Sequence, residues 1–135
     1  MRVLLVFAIL LLPVPAPAAE CAGEAWIEST LYMGRGKPDG GGVGDARVQA
    51  FVQEVIVPAF PDGFTLYDAR GHWRDGPTGR PVDETTLVFV VVHPPGPAAA
   101  AAVRGIAEAY AGRFDQTAVL GSSRPACVTF YGPKK

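Results

Sequence analysis

The sequence predicts an α+β fold of the ferredoxin-like type, with a four-stranded antiparallel sheet and two helices on one face. Three observations support this prediction. Four stretches have strand character, two stretches repeat apolar residues at spacings of three and four, and a turn-rich segment joins the second strand to the third. The resulting order, β-α-β-β-α-β, is the split βαβ pattern.

The first half of the domain is predicted to hold two strands and one helix. Residues 25–33 alternate in the manner of a strand. A glycine-rich loop over 34–44 leads to Asp45, which stands at the N-cap of an amphipathic helix. Pro58 is expected to end that helix, because the residue before a proline is pushed out of the helical region. The second strand is predicted over 64–74.

The second half is predicted to supply the remaining strands and helix. Turn-forming residues over 75–79 and a β-branched run over 85–92 predict that the second and third strands pair as a hairpin. Pro97 suits the first turn of the second helix. The last strand is predicted over 118–131, with a break near Pro125, since proline is tolerated mainly at edges and bulges.

Residues 1–18 have the features of a secretory signal peptide. Arg2 precedes an apolar run over 3–12, and a Pro/Ala segment that ends in small residues follows. The apolar run is shorter than the ~20 residues that span a bilayer, so no membrane span is predicted. Cleavage is expected after Ala18 or, alternatively, after Ala19. The protein is therefore expected to be exported to the periplasm or the extracellular space.

Residues 19–135 are expected to form a single α+β domain. They contain two cysteines, Cys21 and Cys127, and an even count in an exported protein predicts a disulfide. In the predicted fold the first strand is antiparallel to the last, which would bring this pair together. The alternative localisation is a lipid anchor on Cys21, although Glu20 stands where a small residue is needed.

Composition and motif spacing argue against several partners. The net charge is −1 and no segment forms a basic face, so nucleic acid is not an expected partner. Two histidines and two bridged cysteines do not provide a zinc set, and the glycine-rich loop matches no phosphate-binding motif. Neither a metal nor a cofactor is predicted. His93 is expected to be structural, and Ser122 and Ser123 lack a nucleophile-elbow context.

One face of the sheet is expected to need a cover. The third strand is apolar on both faces, whereas two helices cover only one face of a four-stranded sheet. Trp26 and Tyr32 would add aromatic area to the uncovered face, and such a patch is unusual on a soluble monomer. A homodimer that stacks two sheets is the favoured cover. A long ligand and a folded-back C-terminal segment are the alternatives.

Glu28 is the first candidate for chemistry. It lies between Trp26 and Tyr32 on the uncovered face, and a carboxyl group on an enclosed face is a candidate general acid. The alternative is a structural ion pair with Arg70 or Arg74 across strands.

The second strand carries the richest polar segment. His72 and Asp68 are four residues apart and share a strand face, so His72 is a candidate base oriented by a carboxylate. Arg70 and Arg74 could hold an anion such as a carboxylate or phosphate. The alternative is a solvated hairpin with Trp73 folded onto the core.

Four motifs carry a resemblance to a bacterial exported family. They are WIESTLYMG over 26–34, PAFPDG over 58–63, DARGHWR over 68–74 and CVTF over 127–130. Together they resemble the family known as domain of unknown function 3574. Met33 replaces a more usual Phe, and Val48 stands where a Trp is common. The resemblance implies a small secreted α+β protein and brings no activity, ligand or catalytic residue.

Two functions follow as hypotheses. The first is a binding or interaction module that dimerises through its sheet face. The second is a small enzyme with a sheet-face cavity, in which Glu28 or His72 is the acid/base for an anionic substrate. No nucleophile, metal set or cofactor fingerprint is visible, which favours the module, and the ferredoxin-like fold itself supports many functions. The candidate ligand-binding residues are Tyr32, Asp68, Arg70, Trp73 and Arg74.

Overall fold

The computed structural model describes residues 21–37, 40–74, 76 and 78–133. The predicted signal peptide lies outside the described residues. The chain forms one four-stranded antiparallel sheet in the order β2-β3-β1-β4, with helices on one side. This is the ferredoxin-like arrangement, so the α+β prediction is confirmed.

The strands and helices follow the predicted order. The strands are β1 (Glu24–Gly34), β2 (Thr65–Arg74), β3 (Pro81–His93) and β4 (Leu120–Val128). The first helix, α1, is α-helical over Asp45–Phe51, π-helical over Val52–Ile56 and α-helical again over Val57–Ala59. The second helix, α2, spans Pro97–Phe114. The central strands are β1 and β3, and β1 is antiparallel to both of its neighbours.

The first helix continues past the proline that was expected to end it. Pro58 lies inside the final turn, and the wider π turn comes directly before it. There the N–H of Val57 bonds to the carbonyl of Val52, five residues earlier. A proline ring clashes with the carbonyl four residues before it in a regular α-helix. A wider turn at this position therefore allows the helix to continue past Pro58.

The last strand is likewise continuous where a break was expected. Pro125 lies within β4 and pairs in register with Ile27 of β1. Because β4 is at the edge of the sheet, a residue without an N–H can be accepted in it.

The core lies between the helices and one face of the sheet. Leu31, Met33 and Phe89 project from the central strands and are almost fully buried. From the helices, the ring of Tyr110 packs 5.2 Å from that of Phe51 and 4.6 Å from that of Phe114. This cluster fixes one face of the sheet and leaves the opposite face available.

A covalent bond links the start of the described domain to the end of its last strand. A disulfide joins Cys21 to Cys127, with 5.4 Å between their Cα atoms. Just beyond it, the ring of Phe130 packs edge-on against Trp26 at a centroid distance of 5.7 Å. The segment after β4 therefore covers one end of the free sheet face. Within the described part of the chain, no helix is both long and apolar enough to cross a bilayer.

Candidate functional site

The sheet face opposite the helices, here called the open face, carries alternate residues of every strand. On β1 these are Trp26, Glu28, Thr30 and Tyr32, as the alternation predicted. Strand register places Val88 opposite both Tyr32 and Tyr67. Val88 is 1% exposed, whereas the two tyrosines are 40% and 49% exposed. The tyrosines thus flank a buried valine and present their rings to solvent.

The open face holds a cavity of about 380 Å³ that extends from β2 across the central strands to β4. It is lined by two tyrosines, one threonine, two serines, one valine, one carboxylate and one guanidinium. The lining residues are Glu28, Thr30, Tyr32, Tyr67, Val90, Ser122, Ser123 and Arg124.

The charged end of this cavity is an ion pair between neighbouring strands. Arg124 Nε donates to Glu28 Oε1 at 3.0 Å, and a terminal guanidinium nitrogen lies 2.8 Å from the same oxygen. Glu28 therefore pairs with Arg124, its register partner on β4, rather than with Arg70 or Arg74. The Glu28 side chain is 26% exposed and that of Arg124 is 73% exposed. The pair offers both signs of charge to a ligand.

The structure divides the predicted site residues between the two faces of the sheet. Tyr32 and Trp73 lie on the open face. Asp68, Arg70 and His72 occupy the alternate positions of β2 and project to the opposite face. The candidates proposed from the sequence are therefore not brought together in one place.

His72 has a carboxylate partner, but it comes from β3. Nδ1 of His72 lies 2.8 Å from Oδ1 of Asp83, and Arg70 Nε lies 3.8 Å from the same oxygen. The hydrogen bond with His72 lowers the pKa of Asp83, with desolvation opposing it and the charge of Arg70 adding to it. All three side chains are more than half exposed. This cluster lies at the solvated end of the hairpin.

Asp68 and Arg74 also have local partners. Asp68 Oδ1 lies 3.4 Å from a guanidinium nitrogen of Arg35, which also pairs with Asp45. These carboxylates raise the pKa of Arg35, with the hydrogen bond to Asp45 the largest cause and burial acting against it. Arg74 donates to the carbonyl of Gly79 at 2.8 Å. Neither residue reaches the open-face cavity.

His93 is part of a buried hydrogen-bond chain. Its Nδ1 donates to the carbonyl of Pro94 at 2.9 Å, since a carbonyl can only accept. In the neutral ring Nε2 then accepts from Ser29, 3.0 Å away, and Ser29 Oγ lies 3.0 Å from Ser123 Oγ. His93 and Ser29 are both buried. The chain connects a buried imidazole to a serine that borders the cavity.

Sequence reasoning missed Glu84 entirely. Its Oε2 accepts a 2.7 Å hydrogen bond from the backbone N–H of Gly36, while Oε1 is buried and has no partner among the described residues. Burial raises the pKa of Glu84, and the Gly36 hydrogen bond acts against that shift. Glu84 precedes Thr86, Val88 and Val90 at alternate positions, so strand periodicity could have placed it on the open face. It could not have shown the burial.

Most of the chain matches the model of one protein family. The sequence model described as "Protein of unknown function (DUF3574)" matches residues 28–130. The chain belongs to this family. The match confirms the resemblance of the sequence motifs and includes both the open-face cavity and Glu84. Among curated proteins none matches the DUF3574 chain.

Two solved structures share the fold of the DUF3574 domain. A phage SAM lyase in complex with S-methyl-5'-thioadenosine has a TM-score of 0.59 at 12% identity, and a phage SAM lyase in the apo state has 0.57 at 14% identity. Each alignment covers 86% of this chain and 100% of the other. At such low identity the likeness shows the fold alone.

Proposed function

We propose that this protein binds a small polar molecule with a planar ring in the open-face cavity. The observation that carries the proposal is the pairing of two solvent-facing tyrosines, Tyr32 and Tyr67, with a charged pair across one cavity of about 380 Å³. Concave sites that combine aromatic walls with a few polar groups are the usual form of small-molecule sites.

The cavity residues suggest how such a ligand is held. A planar ring would lie against Tyr32 or Tyr67, because aromatic rings pack favourably in offset or edge-on geometry. The hydroxyls of Thr30 and Ser122 would bond polar substituents. An anionic group would pair with Arg124 rather than with Arg70 or Arg74, which lie outside the cavity.

We also propose that a second copy of the chain covers the open face. Every exposed large apolar side chain on the described strands belongs to this face: Tyr32, Tyr67, Trp73, Val92 and Leu120. Exposed apolar groups concentrated on one face are typical of an interaction surface. A face-to-face dimer would also enclose the cavity and exclude water from its ligand.

An enzyme is the second candidate function, and the solved structures favour it. Both share the fold and are phage SAM lyases, and one is bound to S-methyl-5'-thioadenosine, which contains a planar purine. In this chain Glu28 is the carboxylate within the cavity and would be the acid/base group. His72 lies on the other face of the sheet and would not serve a reaction there.

The proposed location is outside the cytoplasm. The disulfide supports export, because disulfides persist in oxidising compartments. It also leaves no free thiol on Cys21 for a lipid anchor. The proposed exported form is the single domain over 19–135.

Native mass spectrometry of the protein purified from its exporting host tests ligand and oligomer together. We expect a dimer that carries a small molecule. Titration with adenosine and S-methyl-5'-thioadenosine then tests the ring site, with product chromatography after incubation with S-adenosylmethionine to test the enzyme. Tyr67→Ala should weaken binding about 10-fold, while Tyr131→Ala, at a residue that is 93% exposed and outside the cavity, should not. A ligand-free protein that binds neither probe would overturn the proposal.

A further inference from the structure

Two oxygens on the open face are buried without a hydrogen-bond partner in the described part of the chain. They are Oε1 of Glu84 and Oγ1 of Thr86. The two residues are alternate members of β3, so both side chains project to the same face. Burial of a polar group without a partner is unfavourable, because its hydrogen bonds to water are lost and not replaced. Two such groups at neighbouring open-face positions of one strand therefore need an explanation.

The backbone next to these two oxygens belongs to glycines, which have no side chain. A Cβ added at Gly34 would overlap Oε1 of Glu84, and one added at Gly71 would overlap Oγ1 of Thr86. The ring of Trp73 lies over this place, with its Cη2 only 2.8 Å from where a Gly34 Cβ would be. The neighbouring strands β1 and β2 thus have a glycine at each position that the side chains of Glu84 and Thr86 occupy. We call this place, formed by Glu84, Thr86 and Trp73, the acidic niche.

Glu84 borders a cleft and has no counter-charge among the described residues. Beside it lies a second, shallow cleft of about 530 Å³, bordered by Arg35, Gly36 and Thr85. The guanidinium of Arg35 is directed to the carbonyl of Val43 and to Asp45 and Asp68. Among the described residues no basic side chain forms an ion pair with Glu84.

We propose that the acidic niche binds a cationic nitrogen group, an ammonium or amidinium, of the ligand on the open face. Such a group has several N–H donors, which Oε1 of Glu84 and Oγ1 of Thr86 can accept. It is also attracted to the face of an indole ring, which Trp73 supplies at 42% exposure. Because the Trp73 ring lies over this place, binding of the group requires that the ring rotate.

The niche continues the ring-binding end of the cavity along one strand. Thr86 lies two positions before Val88, the residue between the two tyrosines, and Glu84 lies four positions before it. At about 3.4 Å per residue these positions are roughly 7 and 14 Å from Val88. This inference rests on the proposed function, since it names the charged end of a ligand whose ring lies at Tyr32 and Tyr67.

A matched pair of probes tests the niche directly. Benzamidine and benzamide have similar shape, but only benzamidine is a cation. Binding is followed through the ¹H–¹⁵N signal of the Trp73 indole, assigned with Trp26→Phe. We expect benzamidine to shift this signal and to bind about 10-fold more tightly than benzamide, the range of a charge-assisted hydrogen bond. Equal affinity for the two probes would overturn the proposal.

Three variants locate the effect. Glu84→Gln should abolish the preference for benzamidine, whereas Glu108→Gln, an exposed carboxylate on α2, should retain it. If Glu84→Gln does not fold, Thr86→Val decides, since it removes the hydroxyl alone and should weaken benzamidine binding several-fold. Benzamidine binding that is unchanged in the folded niche variant would contradict the assignment.

Failure of the niche and failure of the ring site give different results. Adenosine binding that depends on Tyr67, together with equal affinity for benzamidine and benzamide, would reject the niche alone. A benzamidine preference that depends on Glu84, with no adenosine binding and no effect of Tyr67→Ala, would keep the niche and reject the ring site.

Discussion

The hydroxyl of Tyr110 donates a 3.0 Å hydrogen bond to the carbonyl oxygen of Gly34. The contact joins the buried face of α2 to the last residue of β1, and both residues are buried. Gly34 is also the residue whose lack of a side chain makes room for Glu84 on the other face of the sheet. The helix layer therefore helps to position the backbone that borders the acidic niche.

Stability should fall in alkaline solution because of Tyr110. Desolvation, aided by Glu84 and opposed by Arg35, raises the pKa of this phenol from its ordinary 10.0 to about 12. A raised pKa favours folding fully below pH 10, and that contribution is lost as pH rises towards 12. The loss should be on the order of 2 kcal/mol in urea unfolding. Tyr110→Phe should lose this alkaline step, and identical pH profiles for the two proteins would contradict the assignment.

Reduction of the Cys21–Cys127 disulfide should destabilise the domain. The bond closes a loop with a sequence separation of 106, and the chain-entropy model gives about 4.7 kcal/mol for a loop of roughly this size. Loss of native disulfides from small secreted domains costs about 2–5 kcal/mol. We expect a loss in that range for the double variant Cys21→Ser, Cys127→Ser, measured by urea unfolding. An unchanged midpoint with and without reductant would show that the bond does not constrain the unfolded chain.

The fold could be predicted from the sequence, because residue alternation and turn formers are local signals. A period of two fixed which side chains of β1 share a face, so Trp26, Glu28, Thr30 and Tyr32 were placed together correctly. Two cysteines at the ends of antiparallel strands allowed the disulfide to be predicted. The π turn before Pro58 was missed, because a proline signals the end of a helix more often than a widened turn.

The site was harder to predict from the sequence, because the pairing of side chains across strands depends on the strand register. Glu28 was expected to pair with Arg70 or Arg74, yet the register of β4 brings Arg124 to it. His72 was considered with Asp68, whereas the hairpin register supplies Asp83. Strand periodicity could place Glu84 on the open face, but its burial had no sequence signal, since that burial arises from Trp73 and from the lack of a side chain at Gly34. Strand periodicity predicts which face of the sheet a side chain occupies, but not which residue of the adjacent strand lies beside it.

Charge placed on the open face should dissociate the proposed dimer. Val92 lies on this face and is 37% exposed, while Val57 on α1 is 36% exposed and provides a matched control. Val92→Glu should give a monomer in sedimentation at about 50 µM, whereas Val57→Glu should remain a dimer, because a carboxylate in an apolar interface carries a desolvation cost. A monomeric wild-type protein at that concentration, or dissociation by both variants alike, would rule out this interface.

Arg124→Ala should separate binding from stability. Its ion pair with Glu28 is partly exposed, and such surface pairs contribute about 0–1 kcal/mol, so the unfolding midpoint should barely move. The same change removes the only guanidinium that lines the open-face cavity among the described residues, and binding of an anionic probe such as adenosine monophosphate should weaken about 10-fold. Arg80→Ala, at an exposed position outside the cavity, is the control. A large loss of stability with unchanged probe affinity would instead make the Glu28–Arg124 pair structural, because the pair would then be contributing to the packing of β4 against β1 and not to a ligand.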